Sequence, residues 1–437
     1  MEFEQETTEE MAQVQAKPEV SKAHIRSNVR FVVIGEGQGG SSIASVLKAT
    51  LPNSVMIAVN TSSQDMDQLN IPNEFKFKIG GERANGAGKN RALAKHYFDN
   101  FEATNTVTGE KVSAIDSFMG YYENILFHPT MQTIIICCFS SDGGTGSGLG
   151  PKLVTSLAYK MKRIKSFDYD GNTFVIDDNT KLIPRPVVVG LTPKCVVNAG
   201  VTNLQNTIEC FGEIQKAIEA GLGNWFIADN NLPSSVSYQS TEEMYRIINA
   251  RIAAPLVKFL GIELNSSIKC MDLQDKVNTL RIPGASSFVS LTRENIYQYV
   301  EPRGQKCARV VTMLKQDETG AEERAAKDLI RKMDVSFDDK QEIFFETEKT
   351  GLNGDVNKDL LETSMIGFFG YDSLNAIVED LKDNLHRILT ANDKKRATIK
   401  AEARGFDSIA EDNQTLANRF GGGTDDGMSE DDLKNLF

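Results

Sequence analysis

Short apolar runs alternate with segments of helical periodicity through the first half of the chain. The apolar runs predict buried strands at 31–34, 55–59, 133–139, 186–191 and 224–228. Helical periodicity predicts helices at 41–49, over most of 91–126 with a break at 108–109, from about 149 onward, and at 201–220. Strands that alternate with helices form a parallel sheet covered on both faces, so the pattern predicts an α/β fold with a doubly wound parallel sheet.

A long amphipathic helix follows this region. Met244, Ile248, Ile252 and Phe259 recur at helical spacing and predict one continuous helix from Thr241 to Leu260. Beyond it the pattern predicts a second, smaller α/β region, with strands near 287–292, 309–314 and 343–345 and a helix near 321–332. A long helix from 372 to 404, mixed in charge and becoming basic, comes last.

These patterns divide the chain into six predicted parts. They are a disordered acidic arm at 1–27, a nucleotide-binding domain at 28–238, a central linking helix at 239–262, a second domain at 263–370, a long C-terminal helix at 371–404 and a flexible acidic tail at 405–437. The tail contains a hinge of three glycines at 421–423 and ends in apolar residues.

Composition and charge narrow the function. The net charge of -12 and the pI of about 5.1 disfavour direct nucleic-acid binding by the main body. No apolar run approaches the roughly 20 residues that span a bilayer, and the acidic start does not resemble a secretory signal. Six cysteines without a C-x-x-C pair favour reduced, mostly buried thiols in a cytoplasmic protein, and the four histidines have no metal-ligand spacing.

A first glycine loop follows the first predicted strand and precedes a helix. It contains Gly35, Gly37, Gln38, Gly39 and Gly40. Glycines let the backbone approach a phosphate, and a helix N-terminus favours negative charge. The spacing also satisfies the dinucleotide fingerprint G-x-G-x-x-G, but the second strand ends in Asn-Thr rather than in the acid that would hold a ribose. An NAD-dependent oxidoreductase is therefore a weak alternative.

Two more glycine loops point to a triphosphate. The second glycine loop lies between an apolar strand and a helix, and its residues are Gly143, Gly144, Thr145, Gly146, Ser147 and Gly148. The third glycine loop is Gly86, Ala87 and Gly88, which does not form a Walker A motif. Glycines also form ordinary turns, which is the alternative for each loop alone. Two cradles in one α/β domain suit a triphosphate held from two sides, with the hydroxyls of Thr145 and Ser147 as further donors.

The second glycine loop, Gly-Gly-Thr-Gly-Ser-Gly, resembles the signature phosphate loop of the tubulin/FtsZ superfamily. The resemblance extends in order over about residues 29–300. Asn60 matches the Asn-Thr after the second strand, the third glycine loop resembles the γ-phosphate loop, and Thr192 lies in a segment that resembles the ribose-side loop. The bound cofactor implied is GTP or GDP, with Mg²⁺ carried by the nucleotide and no separate metal site.

Three further residues match the family's guanine site. Asn230 resembles the asparagine that reads guanine, and Tyr245 and Asn249 match the stacking ring and second guanine reader on the central helix. Tyr245 and Asn249 are four residues apart and so share one helix face. A tyrosine face can stack on a purine, and an asparagine amide can pair with the guanine edge. Without the resemblance, Tyr245 would be interpreted as a packing residue.

Asp272 and Asp275 resemble the acids of the family's catalytic loop, which enter the nucleotide pocket of the next subunit. Taken alone, two acids at this spacing are typical of a solvated helix start. Cys270 stands where the family has asparagine, and Asp142 where it has glycine. A carboxylate at 142 would repel phosphate unless it faces away or helps to hold Mg²⁺ through water. These departures motivate an alternative, a nucleotide-binding filament protein with little or no hydrolysis.

Within the superfamily, the Asn60–Asp65 stretch and the long final helix look like the TubZ and PhuZ branch, the tubulin-like proteins of plasmids and bacteriophages. The resemblance implies a GTPase that polymerises head to tail into dynamic filaments and positions or segregates plasmid or phage DNA. Its main partner would be itself. The acidic tail, with Leu433, Leu436 and Phe437 near its end, would dock on a neighbouring subunit or on an adaptor protein. No membrane partner is expected.

Overall fold

The structure is a computed structural model. It describes residues 28–392 and 394, apart from 82–83, 102, 105–110, 178–181, 197–198, 233–235, 262–266, 270, 293–298 and 346–362. The predicted acidic arm at 1–27 and the predicted tail at 405–437 lie outside the described residues, as does Cys270.

Each of the eight predicted strands is present, with different ends, and the structure adds seven strands that the sequence did not predict. The described strands are β1 (Val29–Glu36), β2 (Ser54–Asn60), β3 (Lys76–Lys78), β4 (Ala103–Thr104), β5 (Lys111–Val112), β6 (Gln132–Phe139), β7 (Ser166–Tyr169), β8 (Asn172–Val175), β9 (Val187–Lys194), β10 (Asn224–Asp229), β11 (Ser267–Lys269), β12 (Gly284–Ser290), β13 (Lys306–Lys315), β14 (Ser336–Phe345) and β15 (Met365–Tyr371).

The described helices cover both halves of the chain. They are α1 (Gly37–Thr50), α2 (Ser63–Asp67), α3 (Arg91–Asp99), α4 (Ala114–Tyr121), α5 (Glu123–Leu126), α6 (Thr145–Arg163), α7 (Val201–Glu219), α8 (Thr241–Gly261), α9 (Leu273–Leu280), α10 (Ala321–Lys332) and α11 (375–392). None of these helices combines the length and the apolar character needed to cross a bilayer.

Six parallel strands form the first part of the main sheet, in the order β3-β2-β1-β6-β9-β10. From β1 the chain proceeds outward through β2 and β3, and from β6 it proceeds the other way through β9 and β10. The direction of winding therefore reverses between β1 and β6, which makes this pair the topological switch point of a doubly wound sheet. The predicted fold class is confirmed.

Side chains point alternately to the two faces of this sheet, and helices pack against both faces. Val33 on β1 belongs to a core cluster with Ile43 of α1 and Ile252 of α8, and α1 packs against α8. On the other face Phe139 of β6 meets Gly150 of α6, and α6 packs against α3 and α7. Since β1 and β6 are buried along their whole length, near-continuous apolar runs were the signal that identified them.

The same sheet continues into a mixed half. β12 pairs in parallel with β10, and the order then runs β12-β15-β13-β14-β11, with β15 antiparallel to both of its neighbours. The predicted boundary between a nucleotide-binding domain and a second domain is thus crossed by one continuous sheet, and it stays a prediction. The described residues fall into two compact units, the first ending at Leu381 and the second beginning at Lys382.

Two local predictions need correction. The region 91–126 is mainly helical, as predicted, but the short strands β4 and β5 lie between α3 and α4, and the predicted break at 108–109 lies outside the described residues. Ser113 restarts the helical structure, because its Oγ accepts a hydrogen bond from the Asp116 N–H and so caps α4. The helix predicted from Ser41 begins at Gly37, so most of the first glycine loop is the first turn of α1.

Candidate nucleotide-binding cleft

An open cleft of about 930 Å³ lies at the carboxyl ends of the parallel strands. Segments that follow β1, β6 and β10 contribute Gln38, Ser140 and Asn230, the end of β9 contributes Pro193, and α8 contributes Tyr245. Doubly wound sheets bind ligands at this edge, beside the switch point, because the loops on either side of it diverge there. The volume lies within the range of about 300–1,000 Å³ that is usual for small-molecule sites.

The three glycine loops touch one another beside the switch point. Gly37 has a φ of 67°, and a Cβ on it would lie 3.1 Å from the backbone nitrogen of Gly146. A Cβ on Gly144 would lie only 2.1 Å from the carbonyl oxygen of Gly88. The loops therefore pack backbone against backbone, as a shared phosphate cradle requires.

The residues of the first glycine loop do not all line the cleft. Gln38 and Gly39 line the cleft, whereas Gly35 and Gly40 do not. A Cβ on Gly40 would lie 2.1 Å from the carbonyl oxygen of Cys138, so this glycine lets α1 approach β6 closely. Close packing of α1 on the sheet thus accounts for the last glycine of the fingerprint spacing without a dinucleotide.

The second glycine loop leads into the N-terminus of α6. This helix has 19 residues, begins at Thr145, and carries no acidic residue in its first turn. The first backbone N–H groups of a helix have no partner inside it, so those of the first turn are donors for an anion. The two hydroxyls predicted as extra donors are already engaged, since Thr145 bonds with Thr61 at 2.9 Å and Ser147 donates to the carbonyl oxygen of Gly143.

Asn60 shapes the turn after β2 and does not line the cleft. Its Oδ1 accepts hydrogen bonds from the backbone N–H groups of Thr61 at 2.8 Å and Ser62 at 3.2 Å. The carbonyl oxygen of Thr61 in turn accepts a hydrogen bond from the N–H of Gly86 at 3.1 Å. Asn60 therefore acts through the backbone, by holding the turn against which the third glycine loop is fixed.

The cleft also carries the side chains expected at a purine. Asn230, Tyr245 and Asn249 all line it, and Tyr245 is 54% exposed. Within the described part of the chain, neither amide group has a hydrogen-bond partner. Thr192 does not line the cleft: its side chain is fully buried in β9, and the next residue, Pro193, reaches the cleft instead.

Two asparagines on α7, which sequence analysis missed, hold the loops together. The Asn206 Nδ2 group donates to the carbonyl oxygens of Lys89 at 2.9 Å, Asp142 at 3.2 Å and Gly143 at 3.4 Å. Asn203, one turn earlier, lines the cleft and donates to the Asp142 carboxylate at 3.0 Å. In the sequence, the only indication of this role is that two asparagines lie three residues apart on one helix. A side-chain amide that is buried needs hydrogen-bond partners, so such a pair suggests contacts with polar groups of other segments.

Glu36, at the end of β1, is a buried acid that the sequence did not flag. Its side chain is fully buried, and neither carboxyl oxygen has a hydrogen-bond partner among the described residues. Burial raises the pKa of this carboxyl well above its ordinary value, since the charged form would lose its hydration. Burial therefore favours the uncharged form of this carboxyl group, which lies close to the glycine loops.

Asp142 is the one charged side chain that lines the cleft among the described residues. Its Oδ1 accepts a hydrogen bond from the Ser140 hydroxyl, and its Oδ2 accepts one from Asn203. Among the described residues, no group of three or more His, Cys, Asp or Glu side chains could hold a metal ion. The glycine loops, the α6 N-terminus and the two available amides fit a purine nucleotide with several phosphates.

Asp272 and Asp275 lie outside the cleft. Asp272 is the N-cap of α9, and its Oδ1 accepts a hydrogen bond from the Asp275 N–H at 2.7 Å. The Asp272 side chain is exposed and that of Asp275 is half-buried. Within one chain the pair thus forms an ordinary helix start, and a role beside nucleotide would need a second copy of the protein.

The parallel sheet, the cleft at its switch point and the mixed second half define a doubly wound α/β fold. No protein-family model matches the sequence, and no curated protein matches it. Solved structures do match. TubZ from Clostridium botulinum phage c-st is 14% identical, with a TM-score of 0.55 over 84% of this chain and 100% of that one. A GTPγS-form protofilament of TubZ from Bacillus thuringiensis serovar israelensis is 14% identical, with a TM-score of 0.56 over 86% and 98% of the two chains.

A further structure matches in the same way. CetZ1 from Haloferax volcanii, a GDP-bound monomer, is 18% identical, with a TM-score of 0.53 over 83% of this chain and 99% of that one. The chain therefore has the fold of TubZ and CetZ, which is the fold of the tubulin/FtsZ superfamily. The resemblance drawn from the glycine loops is confirmed at the level of the fold.

Proposed function

We propose that this chain binds GTP in the cleft, assembles head to tail into filaments and hydrolyses GTP as it assembles. One observation carries the proposal: three glycine loops pack against one another, the first of them lines the cleft with Gln38 and Gly39, and two available asparagine amides and a tyrosine line the same cleft. The fold adds support, since it is shared with a TubZ structure described as a GTPγS-form protofilament and a CetZ1 structure described as a GDP-bound monomer.

In this proposal, one set of residues binds the phosphates of the nucleotide and another set binds its base. Backbone N–H groups of the second glycine loop and the α6 N-terminus bind the phosphates, and Gly86 and Gly88 close the cradle from the third loop. Tyr245 offers its ring face to the base, and the amides of Asn230 and Asn249 pair with its edge. Mg²⁺ bound to the nucleotide would neutralise charge on the phosphates.

Hydrolysis is assigned to the contact between subunits. Asp272 and Asp275 lie on the surface at the start of α9, where a neighbouring copy can meet them. In a head-to-tail contact each subunit presents one surface to a different surface of the next, so the assembly need not close and forms a filament. The two carboxylates would orient the water that attacks the terminal phosphate bound in the neighbouring cleft. In cells such a filament would position plasmid or phage DNA.

Base selectivity tests the binding part of the proposal. Wild-type protein should bind GTP more tightly than ATP, and NAD should not compete. Asn249→Ala should weaken GTP binding by about ten-fold or more, because removing one buried hydrogen-bond partner costs about 1–3 kcal/mol. Asn172→Ala, at an exposed asparagine of β8, is the matched control and should bind normally. Equal affinity of the wild type for ATP and GTP would refute the guanine assignment.

Assembly and turnover are tested together. Electron microscopy with GTP, with GDP and without nucleotide should show filaments that depend on GTP. GTPase activity per molecule should rise with protein concentration, and Asp272→Ala should assemble into filaments that persist. If dilute monomers hydrolyse GTP as fast as filaments do, the shared-site mechanism is wrong.

A second candidate function is a filament protein that binds nucleotide with little turnover. The observation that favours it is the Asp142 carboxylate at the cleft, where negative charge opposes the approach of phosphate. Filaments that form with GTP and release no phosphate would support this candidate. An NAD-dependent oxidoreductase has less support, because β2 ends in the turn held by Asn60 rather than in an acid that could bind a ribose.

A further inference from the structure

Among the described residues that line the cleft, Asp142 has the one side chain that can only accept hydrogen bonds. It lies between β6 and the second glycine loop, and it is the one charged side chain in this described lining. An ionised carboxylate has no donor, whereas the hydroxyl and amide side chains of the same cleft have both donors and acceptors. The group that Asp142 binds must therefore carry hydrogen-bond donors of its own.

The carboxylate of Asp142 is held by one neighbour on each oxygen. Its Oδ1 accepts a hydrogen bond from the Ser140 hydroxyl, and its Oδ2 accepts one from Nδ2 of Asn203 at 3.0 Å. The backbone carbonyl oxygen of Asp142 accepts a further bond from Asn206 at 3.2 Å. A carboxylate has about four acceptor sites, so each oxygen has a site for one more donor. Two adjacent oxygens of this kind suit two donors that lie side by side.

A nucleotide has two sets of donors that a carboxylate could bind. They are the 2′- and 3′-hydroxyls of the ribose and the N–H groups of the base, since the phosphates carry negative charge and would be repelled. The proposed function assigns the base to Asn230, Tyr245 and Asn249, which follow β10 or lie on α8. Asp142 instead directly precedes Gly143 of the second glycine loop. Because the sugar joins the phosphates to the base, a cleft residue beside the phosphate loop lies nearest to the sugar.

The end of β9 and the segment after it offer the sugar no other partner among the residues that the structure describes there. Four of these residues line the cleft, and none has a side chain that forms hydrogen bonds: Pro193, Val196, Ala199 and Gly200. Thr192, from the segment expected beside the ribose, is buried in β9. The acid that holds a ribose in dinucleotide folds is absent as well, since β2 ends in Asn60.

We propose that Asp142 accepts hydrogen bonds from the 2′- and 3′-hydroxyls of the bound ribose and so makes the cleft selective for ribonucleotides over deoxyribonucleotides. Ser140 and Asn203 orient the carboxylate for this contact. The inference rests on the proposed function and extends it, because it names the group that distinguishes one sugar from another.

The physical basis is the match between two donors and two acceptors. The ribose hydroxyls lie on adjacent carbons, so both carboxylate oxygens can accept at once. A deoxyribose displaces water from the carboxylate and leaves one oxygen without a donor, which costs more than the lost bond alone. Enclosed sites that bind a substrate hydroxyl reject the analogue without it by roughly 10⁴-fold. This cleft is open, so water can replace part of the missing contact, and we expect about ten-fold.

The test compares the affinities of GDP, 2′-deoxy-GDP and 2′,3′-dideoxy-GDP by isothermal titration calorimetry with the full-length chain. Diphosphates vary the sugar without hydrolysis. The wild type should bind GDP about ten-fold more tightly than 2′-deoxy-GDP, and the dideoxy form more weakly still. Asp142→Ala should bind all three within about three-fold of one another, because the acceptor for both hydroxyls is gone. Its affinity for the dideoxy form should not fall, since the lost charge opposes phosphate.

Asn203→Ala tests the positioning of the carboxylate. It should lower the preference for GDP over 2′-deoxy-GDP by a smaller factor than Asp142→Ala. Adding it to Asp142→Ala should not change that preference further, because both substitutions act on the same contact. Asp328→Ala, at an exposed aspartate of α10 that does not line the cleft, is the matched control and should keep the wild-type preference.

Two other roles for Asp142 give different results. If it bound the base, Asp142→Ala would lose the preference for GDP over inosine diphosphate, which lacks the amino group of guanine, and would keep the preference for ribose. If it held Mg²⁺, the variant would lose affinity for all three sugars equally, and only with Mg²⁺ present. Either result overturns the assignment.

The remaining outcomes separate this inference from the proposed function. If the wild type binds GDP and both deoxynucleotides equally, the assignment of Asp142 is overturned and guanine nucleotide binding stands. If the wild type binds neither GDP nor GTP, the proposed function itself fails. A ribose preference that Asp142→Ala abolishes, with unchanged or tighter binding of the dideoxy form, supports the inference.

Discussion

Replacing Glu36 with glutamine tests whether the fold keeps this carboxyl group uncharged. The side chain is fully buried at the end of β1, without a hydrogen-bond partner for either oxygen among the described residues. Burial raises its pKa well above the ordinary value of 4.5, because a buried carboxylate would lose its hydration and gain no partner. Glutamine has nearly the same shape and carries no charge at any pH.

The sign of the effect follows from proton counting. Above about pH 4.5 the unfolded chain releases the Glu36 proton, whereas the folded protein keeps it until the pH reaches the raised native pKa. Between these two pKa values the folded state binds one more proton than the unfolded state. The free energy of unfolding therefore falls by about 1.4 kcal/mol per pH unit in this window. This contribution is fully present below the unfolded pKa and is lost as the pH rises through the native pKa.

Urea unfolding of wild type and Glu36→Gln between about pH 5 and pH 8 measures this slope. We expect the free-energy difference to grow in favour of the variant by up to about 1.4 kcal/mol per pH unit. Glu318→Gln, at an exposed position between β13 and α10, is the control and should follow the wild-type pH dependence. A difference for Glu36→Gln that stays constant across this range would refute the argument, because it would mean that Glu36 has the same charge in both states.

Three further changes test the glycine loops and the C-terminal end. Gly144→Ala should cost about 1–3 kcal/mol of stability and weaken nucleotide binding, because its Cβ would clash with a backbone carbonyl. Gly143→Ala is its control, since a Cβ there meets nothing within 4 Å, and equal losses for the two variants would contradict the packing argument. Asn206→Ala should cost about 1–3 kcal/mol in urea unfolding by removing the donor shared by two loops. An unchanged midpoint and unchanged GDP affinity would disprove that role. Deleting 424–437 should raise the critical concentration in sedimentation assays, and added salt should do the same to the intact protein. Unchanged assembly after deletion would leave only an external partner for the tail.

Much of the fold could be predicted because its central strands are buried on both faces. Such strands are mostly apolar, so β1, β6 and β9 each contain a run of at least three consecutive apolar residues in the sequence. The long helix α8 was equally clear from its apolar spacing. The short strands β4 and β5 were missed, because each is stabilised by pairing with the other and two residues leave no periodic pattern.

The sequence predicted the individual loops and side chains of the site, but it did not predict the contacts between them. Glycine loops after apolar strands indicate phosphate binding locally, because glycine is the residue that permits close backbone approach. The predicted use of the Thr145 and Ser147 hydroxyls as phosphate donors stays a prediction; in the structure Thr145 shares a hydrogen bond with Thr61 and Ser147 donates to the Gly143 carbonyl oxygen. The roles assigned to Asn230, Tyr245 and Asn249 stay predictions, although all three line the cleft.

The sequence by itself determined the order of the central strands and the longer helices, the glycine loops and the acidic pair at α9, because each depends on residues close together in the chain. Tertiary structure alone decided which loops touch, that one sheet continues through both halves, and that Glu36 is buried without a partner among the described residues. The Asn206 bonds show the physical reason: they join residues 64 and 117 positions apart. Contacts between residues so far apart in the chain form when α7 packs against the rest of the domain. They therefore cannot be predicted from the residues that neighbour either partner in the sequence.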